Sequence, residues 1–154
     1  MILKLYTDGS TRGNGKDSGG QGAWGFLAIE DGSILHKEAA GVLNTTNQQC
    51  ELMAIINACR WAANEYPDHD KIIYSDSAYA INCYTDKWYV KWEGNGWTSS
   101  NKQAVKNQKL WRELIPYFKD EHFTFKKVRG HADDKYNNII DELVQSITLS
   151  MVKK

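Results

Sequence analysis

Two predicted strands of this chain each carry an aspartate to their carboxyl end. Residues 2–9 have the composition of a core strand in which Asp8 precedes a tight turn at Gly9, and residues 71–76 form a second apolar run that ends at Asp76. Burying an unpaired carboxylate costs roughly several kcal/mol unless a cation or hydrogen-bond donors meet it. These two acids at strand ends therefore indicate a bound metal ion.

Two further acids lie beside predicted apolar helix faces. Glu51 lies at the border of the buried face of one helix, and Asp141 lies one residue from the apolar stripe of the last helix. If the two strands that carry Asp8 and Asp76 are neighbours, all four acids can converge at one edge of a sheet. The spacing alone equally allows each acid to be an ordinary cap, turn or surface residue.

A cluster of four carboxylates has a definite chemistry. Unless its members are protonated, it needs about two divalent cations for neutrality, and ligands that are all oxygen favour hard ions, Mg²⁺ or Mn²⁺. A pair of such ions activates a water molecule on one side and stabilises the leaving oxygen on the other. This is the chemistry of phosphodiester cleavage.

The elements that must position these acids begin with strands. Residues 23–29 and 33–42 are predicted strands, joined by a hairpin turn at Asp31 and Gly32. Residues 11–22 contain five glycines among polar residues and predict a turn-rich loop. This loop lacks the glycine spacing of a phosphate-binding motif at a strand-to-helix junction, so its glycines are assigned to turn geometry.

Helical patterns follow. Thr46 and Gln49 fit a capping box that opens a helix ending near Glu65. Further helices are predicted over residues 77–84 and 104–118 and from about residue 136, with a last strand over residues 123–129. This order of strands and helices predicts one α/β domain over residues 1–154, with a mixed sheet flanked by helices.

Composition bounds the class of protein. The chain has 154 residues, of which 42% are hydrophobic and 25% charged, and no run approaches the roughly 18 apolar residues that a membrane span needs. Lys4 and Asp8 interrupt any apolar core of a signal peptide. The three cysteines lack metal-binding or disulfide spacing and are expected to be buried thiols. A cytoplasmic protein without membrane contact is predicted.

The charge is polarised along the chain. Nineteen basic and nineteen acidic residues balance overall, yet residues 87–109 contain five lysines and one glutamate. This segment therefore carries a net charge of +4 and the remainder −4. The overall balance by itself argues against a strongly basic nucleic-acid binder, but the molecule is polarised, and its basic segment also contains three tryptophans.

Five motifs together resemble the type 1 ribonuclease H family. They cover nearly the whole chain in the family's order: Tyr-Thr-Asp-Gly-Ser (6–10), Thr-Thr-Asn-Gln-Gln-Cys-Glu-Leu-Met-Ala (45–54), Ser-Asp-Ser (75–77), Val-Arg-Gly-His-Ala (128–132) and Asp-Glu-Leu (141–143). The resemblance implies the ribonuclease H-like fold with a five-stranded mixed sheet. It also implies a monomeric endonuclease that uses two Mg²⁺ ions, with Mn²⁺ as a substitute, to cut the RNA strand of an RNA/DNA hybrid and leave 5′-phosphate and 3′-hydroxyl ends.

The resemblance assigns the catalytic residues. It implies four metal ligands, at the matching positions Asp8, Glu51, Asp76 and Asp141. It further implies that His131, in a polar loop after the last strand, assists release of the product. A histidine suits this role because its pKa lies near neutrality.

The same resemblance implies substrate contacts in the minor groove. Asn14, Asn47 and Gln48 match polar residues that meet RNA 2′-hydroxyls and neighbouring bases. Thr46 and Asn14 match positions that hold a phosphate of the DNA strand. Thr46 as a helix N-cap is a competing interpretation, and both can hold because helix N-termini bind anions.

Residues 87–109 resemble a basic protrusion of many bacterial members, here called the handle. Its predicted substrate contacts are Lys87, Trp88, Lys91, Trp92, Lys102 and Lys106. The tryptophans could equally form a local core, and both interpretations are expected to hold in part. Two rival functions also stay open, namely another nuclease of the same fold and a hybrid-binding module without activity.

Overall fold

The computed structural model describes residues 2–15, 19–99, 102–128 and 134–152. Within these ranges the chain forms five strands and five helices. In chain order they are β1 (Ile2–Gly15), β2 (Gly19–Glu30), β3 (Ser33–Thr45), α1 (Asn47–Glu65), β4 (Asp70–Ser75), α2 (Ala78–Thr85), α3 (Trp88–Gly94), α4 (Gln108–Phe118), β5 (Phe123–Lys127) and α5 (Asp134–Val152).

The strands form one mixed sheet in the order β3-β2-β1-β4-β5. β1 is central, pairing antiparallel with β2 and parallel with β4, while β5 continues the parallel side. The parallel register ends at the pair Tyr6 and Tyr74, so Asp8 and Asp76 each lie two residues beyond it. The predicted mixed five-stranded sheet is confirmed, and its register brings the two strand-end acids to one edge.

Helices cover both faces of the sheet because the strands alternate their buried side chains. On one face Leu5, Phe26 and Ile73 join a core cluster that includes buried residues of α1, α2 and α4. On the other face Leu27 packs with Ile140 of α5 in a second cluster. Successive strand residues point to opposite faces, so β1 and β2 each contribute buried residues to both clusters. None of the described helices is long and apolar enough to cross a membrane.

Two glycines let helices approach the sheet closely around Asp8. A Cβ atom at Gly9 would lie 2.5 Å from the backbone nitrogen of Glu51, so α1 rests directly on the strand there. A Cβ atom at Gly25, the residue paired with Asp8, would lie 2.8 Å from the side chain of Ile140 on α5. At the level of Asp8, α1 therefore approaches β1 on one face of the sheet and α5 approaches the neighbouring strand β2 on the other.

The predicted loop over residues 11–22 is wrong for most of its length. β1 continues to Gly15, β2 starts at Gly19, and the pairs include Ser10 with Ala23 and Arg12 with Gln21. Main-chain hydrogen bonds hold this hairpin extension, while its polar side chains give no alternating apolar pattern. Composition therefore suggested a loop where the ladder continues.

The predicted helix over residues 104–118 starts later than expected. α4 begins at Gln108, Ala104 instead pairs with Thr98 in an isolated bridge, and the Val105 amide donates to the Trp97 carbonyl at 3.0 Å. Val105 is buried as predicted, but it is buried because the chain folds back against Trp97 and not because it lies in a helix. The spacing of apolar residues cannot distinguish these two causes of burial. The helix α3 at Trp88–Gly94 was not predicted as an element.

Candidate active site

Asp8 occupies the central strand, between the close contact of α1 at Gly9 and that of α5 at Gly25. Its side chain is only 5% exposed, and its Oδ2 atom forms no hydrogen bond with the described residues. The adjoining Thr7 hydroxyl donates to the Tyr74 carbonyl at 2.8 Å and ties β1 to β4 just before the site. A buried carboxylate oxygen without a donor is a position for a cation.

Glu51 projects from the second turn of α1 toward Asp8. The approach of α1 over Gly9 places it there, and its Oε2 atom is also buried and without a hydrogen-bond partner in the described part of the chain. The N-terminus of α1 is fixed by the predicted capping box, in which the Gln49 amide donates to Thr46 Oγ1 at 3.2 Å. Capping therefore sets where the helix starts and where Glu51 points.

Asp76 follows β4 directly and is exposed. The turn that carries it is held by hydrogen bonds from the Ser77 amide to Ser75 Oγ at 3.0 Å and from the Ala80 amide to Ser77 Oγ at 3.2 Å. Carboxylate oxygens of Asp8, Glu51 and Asp76 all lie within 4.8 Å of one another. Three oxygens at this separation can be ligands to one cation.

Asp141 joins this group from α5. It follows the buried Ile140, is half-buried, and forms a side-chain hydrogen bond with Asp8. It falls outside the set of three whose oxygens lie within 4.8 Å of one another. The structure thus brings all four predicted acids together, with Asp8 in contact with the fourth.

The electrostatics of the cluster oppose ionisation. Burial, followed by repulsion from Asp76 and Asp141, raises the pKa of Asp8 from 3.8 to about 8. Burial, followed by repulsion from Asp76 and Asp8, raises the pKa of Glu51 from 4.5 to about 9. The pKa of Asp76 is also raised, chiefly by desolvation of its carboxyl group, which lies beside those of Asp8 and Glu51 although the residue as a whole is exposed. A divalent cation would reverse these shifts, so the residues present fit a hard metal ion.

The predicted minor-groove residues lie at the start of α1. Thr46, Asn47 and Gln48 are exposed, and Asn47 Oδ1 accepts a hydrogen bond from the Thr11 hydroxyl at 2.9 Å. Thr46 is the N-cap, so the capping interpretation is confirmed, while its exposure leaves the phosphate role open. The side chain of Asn14 lies outside the described residues, and so does His131, which belongs to residues 129–133.

The handle has both a core and a surface. Trp97 is 8% exposed and belongs to the main core, whereas Trp88 and Trp92 are only partly buried. Trp88 and Trp92 line a cavity of about 350 Å³, together with Lys91, Asn95, Thr98 and Ser99. The predicted contacts Lys87, Lys91, Lys102 and Lys106 are all exposed.

Nothing in the sequence indicated the position of Asn107. Asn107, just before α4, contacts Gln49 of α1 and Tyr79 of α2 through its side chain. An asparagine in a polar segment has no distinguishing local pattern, and its two partners are 58 and 28 residues away in sequence. Only the folded arrangement identifies it.

Comparison with known proteins places the chain among nucleases. A family model described as RNase H matches residues 2–148. A protein of Acetivibrio thermocellus named Ribonuclease H is 41% identical over 142 residues, which cover 92% of this chain and 90% of that protein.

Solved structures show the same architecture. The structure of LC9-RNase H1, described as a type 1 RNase H with the type 2 active-site motif, is similar with a TM-score of 0.78 and 25% identity, over 97% of this chain and 72% of that one. A foamy viral protease-reverse transcriptase in complex with an RNA/DNA hybrid is similar with a TM-score of 0.80 and 20% identity, over 96% of this chain and 20% of that one. At 20% identity, the similarity to the foamy viral protein shows a shared fold.

Proposed function

Because this chain belongs to the ribonuclease H family, we propose that it hydrolyses the RNA strand of RNA/DNA hybrids. The observation that carries this proposal is the group of three carboxylates whose oxygens lie within 4.8 Å of one another, two of them with buried oxygens that lack a described donor. A binding surface for polyanions has no use for such a cluster, since it would repel phosphates. A cation-dependent hydrolase requires it.

We propose two Mg²⁺ ions as the resident cofactors, with Mn²⁺ as a substitute. Asp8, Glu51, Asp76 and Asp141 would hold them, and the ions when bound would supply an activated water and charge stabilisation for phosphodiester cleavage that leaves 5′-phosphate and 3′-hydroxyl ends. The contribution of the chain itself is to position these ligands. Asp8 lies centrally, Glu51 is placed by the α1 cap, and Asp141 is held beside Asp8 by α5.

The hybrid would lie across the start of α1 and the handle. Asn47 and Gln48 are exposed where side chains can reach 2′-hydroxyls and bases in a shallow minor groove, with Asn14 proposed as a third such contact. Thr46 lies at the N-terminus of a helix of 19 residues, which favours a phosphate. On the handle, the lysines and the partly exposed rings of Trp88 and Trp92 would meet the DNA strand.

His131 is proposed to assist product release. It would act by proton transfer or by loosening the product from the site, and its replacement by alanine should slow turnover by about ten- to a thousandfold without weakening hybrid binding. We further propose that the enzyme works as a monomer in the cytoplasm. The three buried, unpaired cysteines Cys50, Cys59 and Cys83 support a reducing compartment.

The deciding experiment is cleavage of a labelled RNA/DNA hybrid beside RNA/RNA and DNA/DNA duplexes of the same sequence. We expect cleavage of the hybrid's RNA strand alone, with Mg²⁺ and not with chelator, and products that a 5′-phosphate-dependent exonuclease degrades. Cleavage of branched or duplex DNA instead would identify another nuclease of this fold. Tight hybrid binding without cleavage in Mg²⁺ or Mn²⁺ would identify a binding module.

A further inference from the structure

Gln49 connects two parts of the molecule that are distant in sequence. Its side-chain amide nitrogen, Nε2, donates to Asn107 Oδ1 at 3.2 Å, across from α1 to the residue that precedes α4. Its Oε1 atom accepts from the Thr45 hydroxyl at 3.0 Å and from the Thr46 amide at 3.3 Å. One side chain therefore holds the start of α1 and the end of the handle at the same time.

Asn107 is committed to this connection rather than to its own helix. It is the N-cap of α4 but adopts the left-handed conformation, with φ of 60°, and its side chain makes no capping hydrogen bond. An asparagine at a helix N-cap ordinarily bonds to the backbone of its own first turn. Here Nδ2 donates instead to the Tyr79 hydroxyl at 3.3 Å.

Tyr79 completes a chain of hydrogen bonds through the base of the handle. Its hydroxyl also accepts from Nε1 of Trp111, a fully buried side chain of α4, at 3.1 Å. The Tyr79 ring lies against Trp88, with ring centroids 6.5 Å apart. The bridge, defined here as Gln49, Asn107, Tyr79 and Trp111, is thereby anchored in the core and ends beneath a handle tryptophan.

The bridge joins two different parts of the proposed substrate surface. On the α1 side, Asn47 and Gln48 immediately precede Gln49 and are proposed to meet the RNA strand in the minor groove. On the handle side, Lys106 immediately precedes Asn107 and Trp88 lies against Tyr79, and both are proposed to meet the DNA strand. The span between the two strands across the groove depends on the duplex type, since A-form RNA has a wide, shallow minor groove.

We propose that Gln49 is a positioning residue that fixes the spacing between the RNA-strand surface of α1 and the DNA-strand surface of the handle. This inference rests on the proposed function and deepens it. A rigid spacing lowers the ordering cost of binding a duplex that matches it and penalises one that does not. Gln49 thus contributes to the preference for a hybrid without contacting the reacting phosphate.

The test compares Gln49→Ala, Tyr79→Phe and the double variant with the wild-type protein. Tyr79→Phe leaves the α1 cap untouched and removes the two bridge hydrogen bonds made by the Tyr79 hydroxyl, to Asn107 and Trp111, so it also serves if Gln49→Ala folds poorly. Asn64→Ala, an exposed amide on the same helix, is the matched control. Steady-state kinetics on the hybrid, hybrid and RNA/RNA binding by anisotropy with chelator, and Tm are measured for each.

We expect each single variant to raise KM for the hybrid about three- to tenfold, because each interrupts the hydrogen-bonded link between the two surfaces, with kcat at saturation within about twofold. The ratio of hybrid to RNA/RNA affinity should fall as well. The double variant should be no worse than the more severe single one, because both changes interrupt the same chain. The Asn64 control should match the wild type.

An unchanged KM and affinity ratio in Gln49→Ala, with only a lower Tm, would overturn the inference and leave Gln49 as a helix cap. Fully additive effects in the double variant would also overturn it. Failure of the proposed function has a different signature, because the wild-type protein itself would then leave the hybrid uncut in Mg²⁺.

Discussion

The carboxyls of Asp8 and Glu51 are held in the fold against their own electrostatics. Burial and mutual repulsion raise their pKa values to about 8 and about 9, so each is largely protonated at neutral pH until a cation displaces the proton. The same carboxyl groups therefore lower the stability of the metal-free protein and provide its affinity for a divalent ion.

Replacing Glu51 with glutamine should affect activity and stability in opposite directions. We expect Glu51→Gln to lower kcat on the hybrid by about a hundredfold or more, since a ligand charge is lost. Its Tm without metal should stay equal or rise, by about 2 to 4 °C for each kcal/mol of repulsion relieved. Activity assays and calorimetry check both. Glu142→Gln, an exposed acid beside Asp141, is the control, and near wild-type turnover of Glu51→Gln in Mg²⁺ would contradict the site.

The raised pKa values also predict a pH dependence of stability. Between about pH 4 and about pH 9 the folded protein binds more protons at Asp8 and Glu51 than the unfolded chain, whose values are 3.8 and 4.5. Their contribution to the free energy of unfolding is therefore fully present below about pH 4 and is lost as pH rises through their folded-state values. Melting in chelator from about pH 5 to 9 should show Tm falling from this cause.

Comparison with a variant that lacks both acids isolates the contribution of Asp8 and Glu51 to the pH dependence of Tm. In the variant with both Asp8→Asn and Glu51→Gln, the fall in Tm with pH should be shallower than in the wild-type protein. Mg²⁺ should raise the wild-type Tm more at about pH 9 than at pH 5, because protons compete less for the ligands. Parallel curves for the two proteins would contradict the raised pKa values.

At the scale of elements, the site depends on how closely α1 approaches β1. Gly9 permits this contact, because a Cβ atom there would lie 2.5 Å from backbone atoms of Cys50 and Glu51. Backbone cannot rotate away as the end of a side chain can. A substitution at Gly9 must therefore displace the helix that carries Glu51 from the strand that carries Asp8.

We expect Gly9→Ala to lower the free energy of unfolding by about 1 to 3 kcal/mol, the usual cost of overpacking. It should also weaken Mn²⁺ binding, measured by calorimetry, and reduce kcat, because the acids move apart. Gly94→Ala is the matched control, since a Cβ atom there would have no neighbour within 4 Å. A Gly9→Ala protein with wild-type Mn²⁺ affinity and kcat would show that this contact does not set the geometry.

The molecule as a whole is electrically polarised, and the structure sharpens this property. Glu93 is the single acid of residues 87–109, and its carboxylate pairs with Lys119, the C-cap of α4, at 3.0 Å. The exposed handle lysines Lys87 and Lys91 have no such ion pair among the described residues. Their charge is therefore available to phosphates, on a chain that elsewhere is net acidic.

Hybrid binding should accordingly depend on salt through the handle. For two to four phosphates, the slope of log affinity against log salt is expected to be roughly −2 to −4. Replacing Lys87, Lys91, Lys102 and Lys106 with alanine should raise KM several-fold and flatten this slope, with little change in kcat. Anisotropy across a salt series measures the slope.

A charge-matched comparison separates the handle from net charge. The double variant Lys87→Ala with Lys91→Ala is set beside Lys4→Ala with Lys37→Ala, which removes the same charge from exposed positions on β1 and β3. Only the handle variant should flatten the slope appreciably. If the quadruple variant kept wild-type KM and salt slope, the hybrid would not cross the handle.

By itself the sequence was sufficient to predict the family and the mixed sheet, and to propose four acids as metal ligands. Those inferences depend on local signals, such as the motif around Asp8, the capping box at Thr46 and the helical period of α1, which survive without knowledge of the fold. The cores of most predicted strands and helices were correct for the same reason. The errors lie where local composition is misleading. In residues 11–22, the strands are held by hydrogen bonds between backbone groups, which require no apolar side chains.

The tertiary structure alone decided which residues meet. Parallel pairing of β1 with β4 aligned Asp8 with Asp76, and close packing of two helices at Gly9 and Gly25 brought in the remaining acids. The link from Gln49 to Asn107 spans 58 residues and has no periodic signature. Such contacts arise from the packing of whole elements, and a sequence pattern reports only the preferences of each element taken alone.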